Sequence, residues 1–313
     1  PGISGGFLDS ITALSVSIDE AHSKHQLTKI ALVHSEVTRS LPVLRFFGFQ
    51  ILSRSLPFTL DEIKNPKYAK ELKTDGCCGP LELLKLEVWT LHEFDYVIAM
   101  DADMHFHANF DAIFDAMSNN DTLNAKLKDN SKYKGKYLGW THGATADKKQ
   151  ELINGGFLVI RPNVTHYQQM YDIIKEGDFR DGTAWRGSGI GWCYGGRTIQ
   201  GIIPFYYYSV LGRGTADIEL DRCVYNNMVE IEKCRQYTYS QVISNHFTWC
   251  QKPWYCIYQT HQPLCIEFNR KWWSASRKVE AMLGLSPREE CPAAADGAKT
   301  YEAIDYSKSS IAL

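Results

Sequence analysis

Tyr96-Val97-Ile98-Ala99-Met100-Asp101-Ala102-Asp103 is the stretch on which the fold turns. Five largely apolar residues run straight into two aspartates separated by one small residue. Such a run, bounded by polar residues, reads as a strand buried between covering layers. The aspartates then stand at its carboxyl end, where open α/β sheets bind their ligands. Two carboxylates so close repel unless a cation neutralises them, which points to a divalent metal. The triplet alone is weak, since a chain of 313 residues contains about one Asp-x-Asp by accident. A turn carrying two solvated acids is the competing reading.

Working outward, Pro80 is placed to open a helix over Leu81–Phe94, with Leu84, Val88 and Leu91 on one face. Further upstream, Leu8, Ile11, Leu14, Ile18 and Ala21 recur at helical spacing, predicting a helix over roughly 8–23. Lys29–Val33 and Phe49–Leu52 read as strands, with a helix around Leu41, Leu44 and Phe47 between them. This alternation predicts an α/β fold with a mostly parallel central sheet flanked by helices. Downstream, residues 118–135 are polar and Lys-rich, a surface excursion, and Leu152–Ile160 is a further strand. Thr198–Val210 reads as a helix kinked at Pro204, Val242–Phe247 as a short strand, and Trp272–Leu283 as a C-terminal helix. The tail beyond Ser286 is expected to run extended over the surface.

Composition narrows the class. A net charge of −2 gives no reason to invoke nucleic acid or an anionic membrane surface. No apolar run approaches the length of a membrane span. Nine cysteines, with Cys223 and Cys234 bracketing a short segment and Cys250, Cys256 and Cys265 close together, suit disulfides in an oxidising compartment. The odd count leaves at least one thiol unpaired or paired to another chain. His246 and His261 among those cysteines make zinc the rival, although the spacing fits no common zinc ribbon. Two sequons, Asn120-Asp121-Thr122 and Asn163-Val164-Thr165, agree with a secretory route, a number that chance also supplies.

Two further stretches carry chemistry. In His246-Phe247-Thr248-Trp249-Cys250-Gln251-Lys252-Pro253-Trp254 a strand leads into His246, and a lysine follows six residues later. Imidazole can complete a metal site begun by carboxylates, and the lysine can neutralise a phosphate. A packed histidine beside aromatic rings is the bland reading. In Asn154-Gly155-Gly156, glycines inside a strand signal a bulge or a ligand close to the backbone. The Asn154 amide both donates and accepts, as sugar hydroxyls require.

Together these stretches resemble glycosyltransferase family 8, the group that includes glycogenin. The segment LLKLEVWTLHEFDYVIAMDADMHFHANFDAIFD, with Lys85 sixteen residues before Asp101, is similar to the family's lysine helix, strand and Asp-x-Asp region. NGGFLVIRP resembles its Asn-Ser-Gly strand, and HFTWCQKPW its His-x-x-Gly-x-x-Lys-Pro-Trp signature. Order and spacing agree over roughly residues 8–255. The Gly-rich run GSGIGWCYGGRTIQGIIPFYY is more like a branch found in algae and related protists.

The resemblance implies a Rossmann-like GT-A domain over residues 1–265, its first strand apparently missing before Pro1, and a helical or extended extension over 266–313. It implies a retaining transfer of a hexose or pentose from a UDP-sugar. The cation would be Mn²⁺, with Mg²⁺ as the alternative, held by Asp101, Asp103 and His246. Lys252 is carried over to the phosphates and Lys85 to the sugar or phosphates. Ala102, Asn154, Gly155 and Gln200 complete the donor site, with Gln200 and Asn154 reading sugar hydroxyls. Asp101, Asp103, Gln200 and Lys252 are the expected catalytic set.

Two departures stand out. Where the family has Asp-Gln-Gly this chain has Ile199-Gln200-Gly201, and Trp249 replaces the signature glycine. Without that aspartate, front-side attack is favoured over a double displacement. Dense aromatic residues over 181–208, and at Trp249, Trp254, Trp272 and Trp273, suit a glycan or glycoprotein acceptor or simply a packed core. Association with another chain and a Golgi-lumenal or secreted location complete the expectation. An inactive, binding or structural relative is the alternative reading, and a metal-dependent lectin-like module is a third.

Overall fold

The computed structural model describes residues 2–3, 5–76, 79–118, 132–143, 152–257, 261–293 and 299–310. The sequon at 120–122 and most of the expected excursion over 118–135 lie outside the described residues. In chain order, the elements that bear on the site are α1 (Gly6–Glu20), β1 (Ile30–His34), α2 (Leu41–Phe46), β2 (Gln50–Arg54), β3 (Val97–Met100), β4 (Met104–Phe106), β5 (Leu138–His142), β6 (Ile153–Ile160), α3 (Val164–Glu176), α4 (Ile199–Pro204), β7 (Asp217–Glu219), β8 (Ser244–His246) and α5 (Pro263–Met282). Two compact units divide them: one comprises Pro1–Arg54, Asp101–Asp111 and Asp221–Leu313, the other Ser55–Met100 and Ala112–Leu220.

In the first unit the apolar spacing of α1 buries Leu8 and Leu14, and the helix packs along α5. β1 and β2 pair in parallel, Ile30 opposite Gln50, with α2 as the crossover. α1 also packs on β4, where the Phe106 amide donates to Ser17 Oγ at 3.2 Å. Trp272, Phe268, Phe247 and Trp254 fill the core between these elements. Each such ring removed from water contributes roughly 1.5–3 kcal/mol. A Cβ on Gly6 would lie 2.1 Å from Trp254 Cγ, so the first turn of α1 rests bare backbone on that indole.

Three disulfides brace this unit: Cys223–Cys234, Cys250–Cys265 and Cys256–Cys291. They consume the cysteines that made zinc a rival. Cys193, in the other unit, is a free thiol.

The tail departs from expectation. Asp9 on α1 is fully buried, and its carboxylate accepts from Arg288 at 3.0 Å, the Ile304 amide at 2.9 Å, Tyr306 at 2.9 Å and Tyr301. A buried carboxylate needs such donors, so the segment beyond Ser286 is pinned inward, and Ile304 is buried.

The second unit centres on a four-stranded sheet in the order β3-β6-β5-β7. β6 runs antiparallel to both β3 and β5, whereas β5 and β7 are parallel, so the sheet is mixed. Gly79–Thr90 winds as a 3₁₀ helix rather than an α-helix, with Leu83, Leu86 and Trp89 buried. The expected kink is also resolved: α4 ends at Pro204, and Phe205–Val210 continues as a π-helix. Proline has no N–H for the regular ladder, and widening the turn accommodates that loss. Tyr207 is buried there, bonded to Trp89 Nε1 at 2.9 Å and to His166 Nδ1 at 3.2 Å. Asn163 of the second sequon caps α3, accepting from the His166 amide at 3.1 Å.

Candidate active site

β3 ends at Met100 and Asp101 follows directly, as the sequence suggested. A tight turn then leads into β4, with the Met104 amide bonded to the Asp101 carbonyl at 3.3 Å. β4 pairs antiparallel with β8 so that Met104 lies opposite His246. One further bond, from the Phe247 amide to the Asp103 carbonyl at 3.0 Å, fixes the register beside the turn. That register brings a histidine far along the chain to the two aspartates.

His246 Nε2 lies 3.2 Å from Asp103 and 3.7 Å from Asp101. One potential ligand atom from each of the three residues falls within 4.8 Å of the others. The set is therefore compact enough for one cation. It offers two carboxylates and one imidazole, which suits Mn²⁺ or Mg²⁺ and contains no thiolate. His246 Nδ1 is buried with no hydrogen-bond partner, so Nε2 is the nitrogen turned toward the carboxylates. Ala102 occupies the turn between the two acids.

Lys252 reaches the same place. Its ammonium is ion-paired with Asp103 Oδ2 and donates to the Phe247 carbonyl at 3.1 Å. The Cys250–Cys265 disulfide and the Pro253–Tyr255 turn flank it. Burial pushes the Asp103 carboxyl up, but the charges of His246 and Lys252 and their hydrogen bonds outweigh it. The acid is held well below the usual carboxylate range. The signature glycine that Trp249 replaces is not required here. The left-handed residue of this turn is Gln251, at φ 61°, and the Trp249 ring instead carries the Arg235 guanidinium 4.5 Å from its centroid.

The remaining expected donor residues gather in the second unit. Lys85 Nζ donates to the Gly155 carbonyl at 2.7 Å. Asn154 Oδ1 accepts from the Gly156 amide at 2.9 Å, turning the start of β6. A Cβ on Gly155 would sit 2.6 Å from Ile199 Cδ1 and 3.8 Å from Gln200 Cγ. Lys85, Asn154-Gly155 and Ile199-Gln200 thus form one cluster. Ile199, where the family's aspartate would stand, is buried.

Sequence reading missed the role of the Gly-rich run. A Cβ on Gly201 would meet the Gly196 carbonyl oxygen at 1.9 Å, and one on Gly191 would lie 2.9 Å from the Gly201 Cα. The run packs backbone against backbone at the start of α4, and the repeated glycines were its only sequence signal. Aromatic residues over 181–208 divide in two. Trp185, Phe205, Tyr206, Tyr207 and Tyr208 are core, while Trp192 and Tyr194 are exposed.

No family model matches the sequence, and no curated protein matches it. Solved structures do. An active-site mutant of LgtC aligns with a TM-score of 0.55 at 10% identity, over 88% of this chain and 94% of that one. The apo form of WbbM, a bifunctional glycosyltransferase, aligns with a TM-score of 0.50 at 12% identity, over 88% of this chain. The match spans 48% of WbbM, about half its length. Identities so low speak to architecture alone. The chain has the α/β fold of the GT-A glycosyltransferases.

Proposed function

We propose that this chain is a Mn²⁺-dependent, retaining glycosyltransferase of family 8, nearest the algal and protist branch. It transfers a hexose or pentose from a UDP-sugar to a glycan or glycoprotein acceptor. The observation that carries the reading is the convergence of Asp101, Asp103 and His246 on one point. Residues 1–265 are the catalytic domain and 266–313 its extension. Three disulfides, and the lack of a membrane-spanning helix among the described residues, suit a Golgi-lumenal or secreted setting. Among the described residues, the free Cys193 is a cysteine available to a partner chain.

A bound cation would supply positive charge to a departing diphosphate that carries about two to three negative charges. Asp101, Asp103 and His246 would hold it. Lys252 contributes a second positive charge toward the phosphates. Lys85, Asn154 and Gln200 orient the donor sugar through its hydroxyls. With Ile199 in place of a carboxylate, attack is front-side. The C1–O bond to phosphate breaks, the acceptor oxygen bonds C1 on the same face, and its proton passes to the leaving phosphate oxygen. Trp192 and Tyr194 offer exposed faces for an acceptor sugar.

A panel of UDP-sugars assayed for Mn²⁺-dependent UDP release tests the proposal. One sugar should be turned over, and chelator should abolish the signal. Buried Ile199 favours a second reading, an inactive relative with a binding or structural role. UDP binding without release from any sugar would favour it.

A further inference from the structure

Asn163-Val164-Thr165 is a sequon that the proposed chemistry leaves unused. Chance supplies such triplets, so the folded surroundings decide whether this one can carry a sugar. Its middle residue is not proline, and its hydroxyl comes from threonine. Asn163 stands just outside α3, at φ −155° and ψ 109°, the last extended residue before the helix winds.

The two ends of its side-chain amide have different duties. Oδ1 accepts from the His166 amide at 3.1 Å and caps the helix. Nδ2, the atom that a glycan would use, makes no hydrogen bond among the described residues. Nor is it one of the buried polar atoms that lack a partner, so water reaches it. The first turn beyond it is bare. Val164 is 53% exposed and Thr165 is exposed, while α3 buries His166, Met170, Ile173 and Ile174. The cap occupies only the oxygen, and the nitrogen stays available on an uncovered surface.

We propose that Asn163 is an N-glycosylation site, modified at Nδ2 by an oligosaccharide from a polyprenyl-diphosphate donor of the secretory pathway. The inference rests on the lumenal or secreted setting proposed above and not on the transfer chemistry. Nδ2 bonds to C1 of the sugar and the C1–O bond to diphosphate breaks. The diphosphate leaves with that electron pair, and the amide loses one proton to solvent. Oδ1 keeps its lone pairs, so the bond from the His166 amide survives.

The test is secretion of the whole chain from eukaryotic cells, behind a cleaved leader, in an Asn120→Gln background that leaves one sequon. Peptide N-glycosidase should increase its electrophoretic mobility. Release by that enzyme turns the amide into a carboxylate, so the treated chain and untreated Asn163→Asp should coincide in mass. Asn163→Asp keeps a capping oxygen, so it should fold and melt as the treated chain does. Thr165→Ala should abolish the shift, and Thr165→Ser, which retains the hydroxyl, should preserve it. Disulfide mapping of the same material reads the setting separately. A secreted chain with Cys223–Cys234 and Cys250–Cys265 formed but Asn163 unmodified overturns the proposal and leaves the setting standing. A glycan on Asn163 beside free thiols at those cysteines would keep the site and count against an oxidising setting.

Discussion

At the scale of single residues, Asp103 carries the most. Asp103→Ala should abolish turnover and metal-dependent UDP binding while circular dichroism stays native. Activity surviving in chelator would contradict the metal role. Its titration gives an independent reading. The folded-state value lies below the ordinary 3.8, so its ion pairs stabilise the fold above that pH. The contribution is lost as pH falls through the lower folded value. In chelator, the difference in urea midpoint between wild type and Asp103→Asn should be largest above pH 3.8 and shrink on acidification. A difference flat in pH would mean that Lys252 and His246 contribute nothing through charge. Gln200→Ala belongs to the same scale: transfer should fall more than UDP affinity, and equal losses would remove Gln200 from the sugar.

At the scale of elements, the helix α4 depends on a missing side chain. Gly201→Ala would drive a Cβ into the Gly196 carbonyl, which is backbone and cannot swing away. Overpacking of this kind costs about 1–3 kcal/mol, occasionally more, measurable as a lowered denaturation midpoint. A near-neutral result would mean the Gly-rich run relaxes. Most elements were legible beforehand. α1, β1, β2, β3 and β6 announced themselves through apolar spacing, because each buries a periodic face; of α5 only the stretch from Trp272 did, and its start at Pro263 was missed. The 3₁₀ winding of Gly79–Thr90 and the π-helix after Pro204 were not legible, since both share their apolar pattern with an α-helix and differ only in hydrogen-bond register. The antiparallel insertion of β6 was hidden for a similar reason: strand direction leaves no mark on local composition. In the site, the aspartates and histidine were readable from strand context. The Lys252–Asp103 pair was not, because it depends on a turn whose left-handed residue is a glutamine rather than a glycine.

At the scale of the whole molecule, the three disulfides among the described residues fall in the unit that holds the aspartates and His246. They close loops of 11, 15 and 35 residues in sequence, each contributing about 2–4 kcal/mol. Reduction should therefore lower amide protection in β8, α5 and α1 before the β3-β6-β5-β7 sheet responds, as hydrogen exchange would report. Simultaneous loss everywhere would show that the two units unfold as one. The buried network of Asp9, Arg288, Tyr301 and Tyr306 acts alongside these links, tying the first helix to the last segment.

The pairing of Met104 with His246 also bears on synthesis. A ribosome adding about 5–20 residues per second releases β4 roughly 7–30 seconds before its partner strand exists. Through that interval the Asp101–Asp103 turn emerges with acids but no imidazole beside it, and its partner comes about 140 residues later in the chain. A cation site that used His246 could therefore not be completed until residue 246 had been made, and products truncated before it would lack the imidazole.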